Sequence, residues 1–199
     1  MKELSLYQIR DLALESGRAV FSVQQLANLI GKPKPIATVY SSRLVNRGLA
    51  SRVLKGRISF EKDDFVIATQ LIEPSYVSLD SALAFHRIIT QVTKNIECVT
   101  TINSINYGDL GIRYHKIPKG LFFGYKRHGR GRSYLFVAEP AKALIDGLYL
   151  NIYSKKEAME YMGKLDPSRL ESLTGQFKGR GSKKISGVIG SSIKHSYQR

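Results

Sequence analysis

Two closely spaced prolines, Pro33 and Pro35, constrain the first sixty residues more than any other feature. Neither carries an amide hydrogen, so no helix runs through Lys32-Pro33-Lys34-Pro35. Pro35 nevertheless suits the first turn of a helix, where that hydrogen has no partner anyway. The chain on both sides is patterned for helix. Upstream, Ser22 and Gln25 form a capping box and Phe21 and Leu26 occupy hydrophobic-staple positions; Leu26, Leu29 and Ile30 give an apolar stripe that Gly31 ends. Downstream, Ile36, Ala37, Tyr40 and Leu44 fall within about 100° of one another at 3.6 residues per turn, and Gly48 stops the helix. Leu6, Ile9, Leu12 and Ala13 recur at helical spacing before them and predict a first helix over 5–16 that ends before Gly17. The runs 49–54 and 57–60, joined by Lys55-Gly56, read as a β-hairpin.

Helix, turn, helix and hairpin in this order are expected to form a winged helix-turn-helix. With one side of the third helix buried, the opposite arc carries Thr38, Ser42 and Asn46, short hydrogen-bonding side chains of the kind that read base edges in a major groove. Lys34 stands at the start of that helix, and Arg43 and Arg47 on its flank. There the two arginines either reach guanine or phosphate, or cover the edge of the core with their stems. Arg52, Lys55 and Arg57 on the hairpin match a wing that grips the sugar-phosphate backbone. The competing reading is a three-helix core with a solvated hairpin that serves protein contacts alone.

Charge argues for the first of these. The chain has a net charge of +15, and 21 of its 31 Lys and Arg residues lie in three stretches free of carboxylates. Arg18, Lys32, Lys34, Arg43, Arg47, Arg52, Lys55 and Arg57 occupy the first, between Glu15 and Glu61. Arg113, Lys116, Lys119, Lys126, Arg127, Arg130 and Arg132 occupy the second, and Lys178, Arg180, Lys183, Lys184, Lys194 and Arg199 the tail. Charge segregated in this way favours a polyanion contacted along several surfaces. Cys98 is the only cysteine, so no intramolecular disulfide forms and no Cys/His set can hold a structural zinc. Met1-Lys2-Glu3-Leu4 opens without an apolar segment, and no stretch approaches the roughly 18 apolar residues of a membrane helix. A cytoplasmic location without membrane contact is the expectation.

Glu61, Asp63, Asp64 and then Pro74 mark a boundary near 62–74. The expected fold class is therefore α+β, with a winged helix-turn-helix over 1–62 followed by a mixed α/β C-terminal domain over 75–199. In the latter, strands are expected at 76–77, 97–101, 112–117, 121–125 and 133–138, with a helix over 79–89. Further helices follow: 141–150 opened by Pro140, 155–162 capped by Ser154 and Glu157, one beginning at Asp166-Pro167, and one over 183–195. Lys126, Arg127, Arg130 and Arg132, set among glycines between two strand-like runs, are a candidate second basic surface, read as a mobile phosphate clamp or a solvated hairpin tip.

The residues do not read as an enzyme. Glu139 and Lys142 lack the clustered carboxylates of metal-dependent cleavage, and capping explains Glu139 more simply. His86, His115, His128, His195 and Cys98 show no paired motif, and Ser78 and Asp80 read as caps at a helix start. Gly108, Gly111, Gly120 and Gly124 lack phosphate-loop spacing. No catalytic residue, metal or cofactor is expected.

Four stretches carry a family resemblance: Tyr40-Ser41-Ser42-Arg43-Leu44-Val45-Asn46-Arg47-Gly48-Leu49; Tyr76-Val77-Ser78-Leu79-Asp80-Ser81-Ala82-Leu83-Ala84-Phe85-His86; Tyr114-His115-Lys116-Ile117; and Ala138-Glu139-Pro140-Ala141-Lys142-Ala143-Leu144-Ile145-Asp146. The first is generic to winged helices, while the second and fourth, in this order and separation, are more specific. Together they resemble the AbiEi family of antitoxins, transcriptional regulators of viral defence in type IV toxin-antitoxin systems. The resemblance implies a repressor of its own operon that binds double-stranded DNA through the winged helix, with a C-terminal domain that counters a nucleotidyltransferase-like toxin; because one small winged helix covers few base pairs, paired half-sites are expected. The alternative is a solitary nucleic-acid-binding regulator of a mobile element, with no toxin partner.

Overall fold

The computed structural model describes residues 4–91, 93–178 and 181–196, with the backbone alone for Lys184 and 191–196. Among the described residues are nine α-helices and two sheets, which make a mixed α+β protein. The chain divides into two units: Met1–Glu73 with Arg127–Leu135, and Pro74–Lys126 with Phe136–Arg199.

In the first unit, α1 (Leu6–Glu15) and α2 (Val23–Ile30) start at full capping boxes. Ser5 accepts from the Gln8 amide while Gln8 accepts from that of Ser5, and Ser22 and Gln25 do the same. Each box satisfies two amides that a helix start otherwise leaves without partners. Gly31 closes α2 at φ 61°, a left-handed conformation that costs glycine nothing. Helix α3 (Lys34–Asn46) opens with Pro35 in its first turn. Its end reverses at Gly48, where the Gly48 and Leu49 amides donate to the Val45 and Leu44 carbonyls.

Strands β1 (Val20–Ser22), β2 (Ser51–Leu54) and β3 (Arg57–Ser59) form an antiparallel sheet with β3 in the middle. Lys55-Gly56 turns β2 into β3, and the register shifts between Arg52 and Leu54, a bulge that adds local twist. Ile9, Ala13, Phe21, Leu26, Ile30, Ala37, Tyr40, Leu44 and Ile58 belong to the core that the helices share with this sheet.

Strand β1 and helix α4 (Asp64–Leu71) escape the sequence pattern. The acidic run that reads as a domain boundary is in part a helix cap: Asp63 accepts from the Phe65 and Val66 amides at 3.0 and 3.1 Å. Gln70 on α4 is fully buried and bonded at both ends of its amide. Its Oε1 accepts from the Ala19 and Val20 amides at 2.7 and 3.3 Å, and its Nε2 donates to Ser133 Oγ and the Tyr134 carbonyl at 3.0 and 2.9 Å. Ser133 donates in turn to the Gly17 carbonyl at 2.9 Å. These bonds fasten 133–134 to residues 17–20, so 127–135, which the sequence reading assigns to the C-terminal domain, groups with the first unit.

The remaining strands are β4 (Ser75–Val77), β5 (Ile96–Thr100), β6 (Ile105–Tyr107), β7 (Ile112–Lys116), β8 (Tyr125–Arg130) and β9 (Ser133–Ala138), in the order β6-β7-β5-β4-β9-β8. Strand β4 runs antiparallel to β5 and parallel to β9, while β7 runs parallel to β5 and antiparallel to β6. Helix α5 (Leu79–Phe85) follows β4, and α6 (Pro140–Tyr149) follows β9. The two pack together, and α7 (Lys155–Met162), α8 (Pro167–Gln176) and α9 (Ser182–Ser196) pack against α6. Every residue of α6 from Ala141 to Leu148 is buried.

Three expectations for this half are corrected. The helix predicted over 79–89 stops at Phe85, because Arg87 turns left-handed at φ 60° and the Ile88 amide reaches back to the Leu83 carbonyl. The predicted strand over 121–125 is mostly a 3₁₀ turn and loop. The strand starts at Tyr125 and runs through the basic residues that glycines suggested were a mobile loop. Tyr125, stacked on Tyr76 with centroids 4.7 Å apart, and Arg127, lying 4.4 Å over the Tyr134 ring, hold β8 extended. The short strand β6 lies in a run given no assignment from the sequence.

Candidate nucleic-acid interface

Burial fixes the rotation of α3. Its inward side is Ala37, Tyr40, Ser41 and Leu44. Ile36, expected inside, is 45% exposed, and Ser41 takes an inward place that the sequence reading did not give it. With Tyr40 and Leu44 both inward, the arc centres close to Ala37, and Ile36 falls about 90° away, on the edge. The outward face carries Lys34, Thr38, Val39, Arg43, Asn46 and Arg47, with Ser42 half-buried beside them. Thr38 Oγ1 donates to the Lys34 carbonyl at 3.0 Å, so its hydroxyl presents acceptor lone pairs outward. Val39 was not singled out from the sequence. The signal for it is Tyr40 and Leu44 read as the centre of the inward face, which turns Val39 away from the core.

Arg43, Asn46 and Arg47 meet in one open cleft of about 640 Å³, lined also by Tyr40 and by Leu4, Ser5 and Leu6 at the start of α1. Arg43 lies 6.0 Å from the Tyr40 ring centroid, at the outer limit of a cation–π contact. Arg52 on β2 and Lys55 at the turn are exposed, and Arg57 on β3 is half-buried. Of the eight cations between Glu15 and Glu61, Arg18 alone pairs with a carboxylate among the described residues, namely Glu73. Lys32, Lys34, Arg43, Arg47, Arg52, Lys55 and Arg57 have none within ion-pair distance there.

The second basic surface differs. Lys126 pairs with Glu139 at 3.7 Å, Arg130 with Asp63 at 2.8 Å, and Arg127 covers the Tyr134 ring. Arg132 alone of the four has none of these partners among the described residues. Most of this charge is therefore neutralised or stacked within the protein, and strand geometry holds it in place. In the basic tail, Arg180 and Arg199 lie outside the described residues, as do the side chains of Lys184, Lys194 and His195.

The motif residues of the second unit form a buried polar cluster. Lys142 (0% exposed) pairs with Asp146 (1%) one turn along α6 and donates to the Tyr76 hydroxyl at 3.0 Å. Tyr76 and Ser78 donate to Asp146 Oδ2 at 3.0 and 2.8 Å. Burial, and then the Asp146 charge, push the Tyr76 phenol well above its usual range. Gly124, at φ 73°, leaves room for the lysine stem; a Cβ there would stand 3.0 Å from Lys142 Cγ.

Two cap assignments are corrected here. Ser78 and Glu139 occupy cap positions without bonding the helix amides. The Ser78 hydroxyl serves Asp146 instead, and Glu139 makes a two-pronged pair with Arg169 at 2.6 and 2.9 Å that holds its carboxyl below the usual range. Asp80 accepts from Tyr153 at 2.7 Å. Buried Cys98 has its thiol pushed up by burial. Among the described residues no three His, Cys, Asp or Glu side chains gather where a metal could bind, and no helix is long and apolar enough to cross a membrane.

Comparison with models of known protein families and with curated proteins returns no match. The AbiEi resemblance thus rests on its four motif stretches alone.

Proposed function

We propose that the first unit is a winged helix-turn-helix that binds double-stranded DNA, with α3 in the major groove and the β2–β3 hairpin on the phosphate backbone. The observation that carries this reading is the set of cations on the α2–α3 turn, α3 and the hairpin that find no carboxylate among the described residues, around a helix face of Thr38, Ser42 and Asn46. Surface cations are ordinarily interspersed with acids, and seven of them without a carboxylate partner among the described residues of one small unit carry a self-repulsion that a polyphosphate relieves. The chain as a whole acts, in this reading, as a repressor of its own promoter at paired half-sites. Its second unit counters a nucleotidyltransferase-like toxin, as the AbiEi resemblance implies.

The test is titration of the full chain against labelled duplexes of its own upstream region at several salt concentrations. Lys55→Ala with Arg57→Ala should lower the slope of log K against log salt by roughly 0.9 for each phosphate that the variant no longer neutralises. Arg43→Ala should cost about 1 to 3 kcal/mol of binding and relax specificity at one position. Unchanged slopes and affinities in both variants would remove this surface from the interface. The antitoxin part has its own test, co-expression with each neighbouring gene that inhibits growth: the wing variants should lose repression yet keep rescue.

A further inference from the structure

The outward face of α3 carries a feature that hydrogen-bonding and charge leave unexplained. Val39 is 47% exposed and Ile36 45%, on a helix whose other outward residues are mostly polar or cationic. At 100° per residue Val39 lies about 20° from Asn46 and 40 to 100° from Arg43, Ile36 and Thr38, close to the middle of that face. The residue at the middle of a recognition face is the one that stands deepest in a groove.

An apolar pair ringed by unneutralised cations narrows the occupant. A purely apolar partner would bury Lys34, Arg43 and Arg47 at high cost. The major groove of DNA offers what both kinds of side chain require: phosphates along its rims and, on its floor, the thymine C5-methyl as the one apolar group of the four bases. A branched side chain one carbon from the backbone suits that methyl, being short and rigid.

Resting on the DNA-binding reading above, we infer that Val39 and Ile36 are specificity residues that select thymine by contact with its methyl group. Asn46, about 10 Å along the axis from Val39, faces a base pair roughly three steps away. An amide there favours adenine through its N6 and N7. The preferred half-site therefore holds A·T pairs at both places, with Arg43 between them facing guanine or phosphate.

The experiment uses the full chain to enrich duplexes from a random pool. The enriched duplex is then remade with each thymine replaced singly by deoxyuridine, which removes the methyl and nothing else. One or two positions should lose about fourfold in affinity, the value of one buried methyl. Val39→Ala, with Ile36→Ala for a second position, should bind thymine and uracil forms equally, whereas Val39→Thr, which keeps a methyl, should retain the preference. Arg52→Ala should weaken both forms alike. If no deoxyuridine position weakens binding, or the double alanine variant keeps the full preference, methyl readout is wrong while DNA binding stands. If the chain enriches no duplex at all, the DNA-binding reading falls and this inference with it. Melting curves confirm that the variants fold, and exposed positions should shift them little.

Discussion

Lys142→Met is expected to destabilise the second unit by about 3 to 5 kcal/mol, the cost of leaving one member of a buried ion pair alone. The substitution keeps all but the last atom of the side chain, and thus most of its packing against Gly124 and the Phe123 ring, which lies 5.1 Å from the ammonium. What it removes is the positive charge. Asp146 would retain the Tyr76 and Ser78 hydroxyls as donors, but a carboxylate 1% exposed has no access to water for the rest of its solvation. Hydrogen exchange of the α6 peptides in rising urea reads this unit apart from the other. The double variant Lys142→Met, Asp146→Leu should recover much of the loss, because hydrophobic pairs often replace buried ion pairs at little cost. A single variant within about 1 kcal/mol of the parent, or a double variant worse than the single, would show that Lys142 and Asp146 do not depend on each other.

This pair marks where reading the sequence stops. Caps and turns are decided within four or five residues, so the Ser22–Gln25 and Ser154–Glu157 capping boxes, the left-handed Gly31 and the Lys55-Gly56 turn are legible before any fold is known. Ser78 and Glu139 have the same local signature as a cap. Their side chains are claimed instead by Asp146 and Arg169, some 68 and 30 residues along the chain, and no local pattern reports such a claim. The same limit hid Gln70, a polar residue in a short apolar run, whose partners near residues 19 and 133 exist only once the fold has formed. Periodicity, too, gave α3 its length but not its rotation. Ile36 looks more apolar than Ser41, and a wheel weighted by hydrophobicity puts it inside; Tyr40 and Leu44, the two largest inward side chains, fix the angle and turn Ile36 out. For the candidate site the consequence is specific. Thr38, Ser42, Asn46, Val39 and Arg43 follow one another around one side under either rotation, whereas Ile36 joins them only under the observed one.

Gln70→Leu should give the second large effect, a loss of about 2 to 5 kcal/mol confined to the first unit. Leucine fills much of the same space, so the cost is polar. The Ala19 and Val20 amides lose their shared acceptor and the Tyr134 carbonyl loses a donor, and each buried group left without a partner costs about 1 to 3 kcal/mol. Ser133 keeps its bond to the Gly17 carbonyl, which is why the loss stays below the sum of all four. Gln70→Glu separates the two ends of the network. Its carboxylate still accepts from the two amides but cannot donate to Ser133 or Tyr134, so, on top of the general loss that a buried unpaired charge brings to the unit, protection should fall further at 133–134 than at 19–20. Hydrogen exchange resolved to these peptides decides the matter: equal deprotection of both segments in the glutamate variant, or none in the leucine variant, would rule out Gln70 as the tie between them. Because residues 19–22 lead directly into the capping box of α2, a loosened tie should also weaken any DNA affinity that α3 supplies, while Ser133→Ala, which spares the bonds to the amides, should weaken it less.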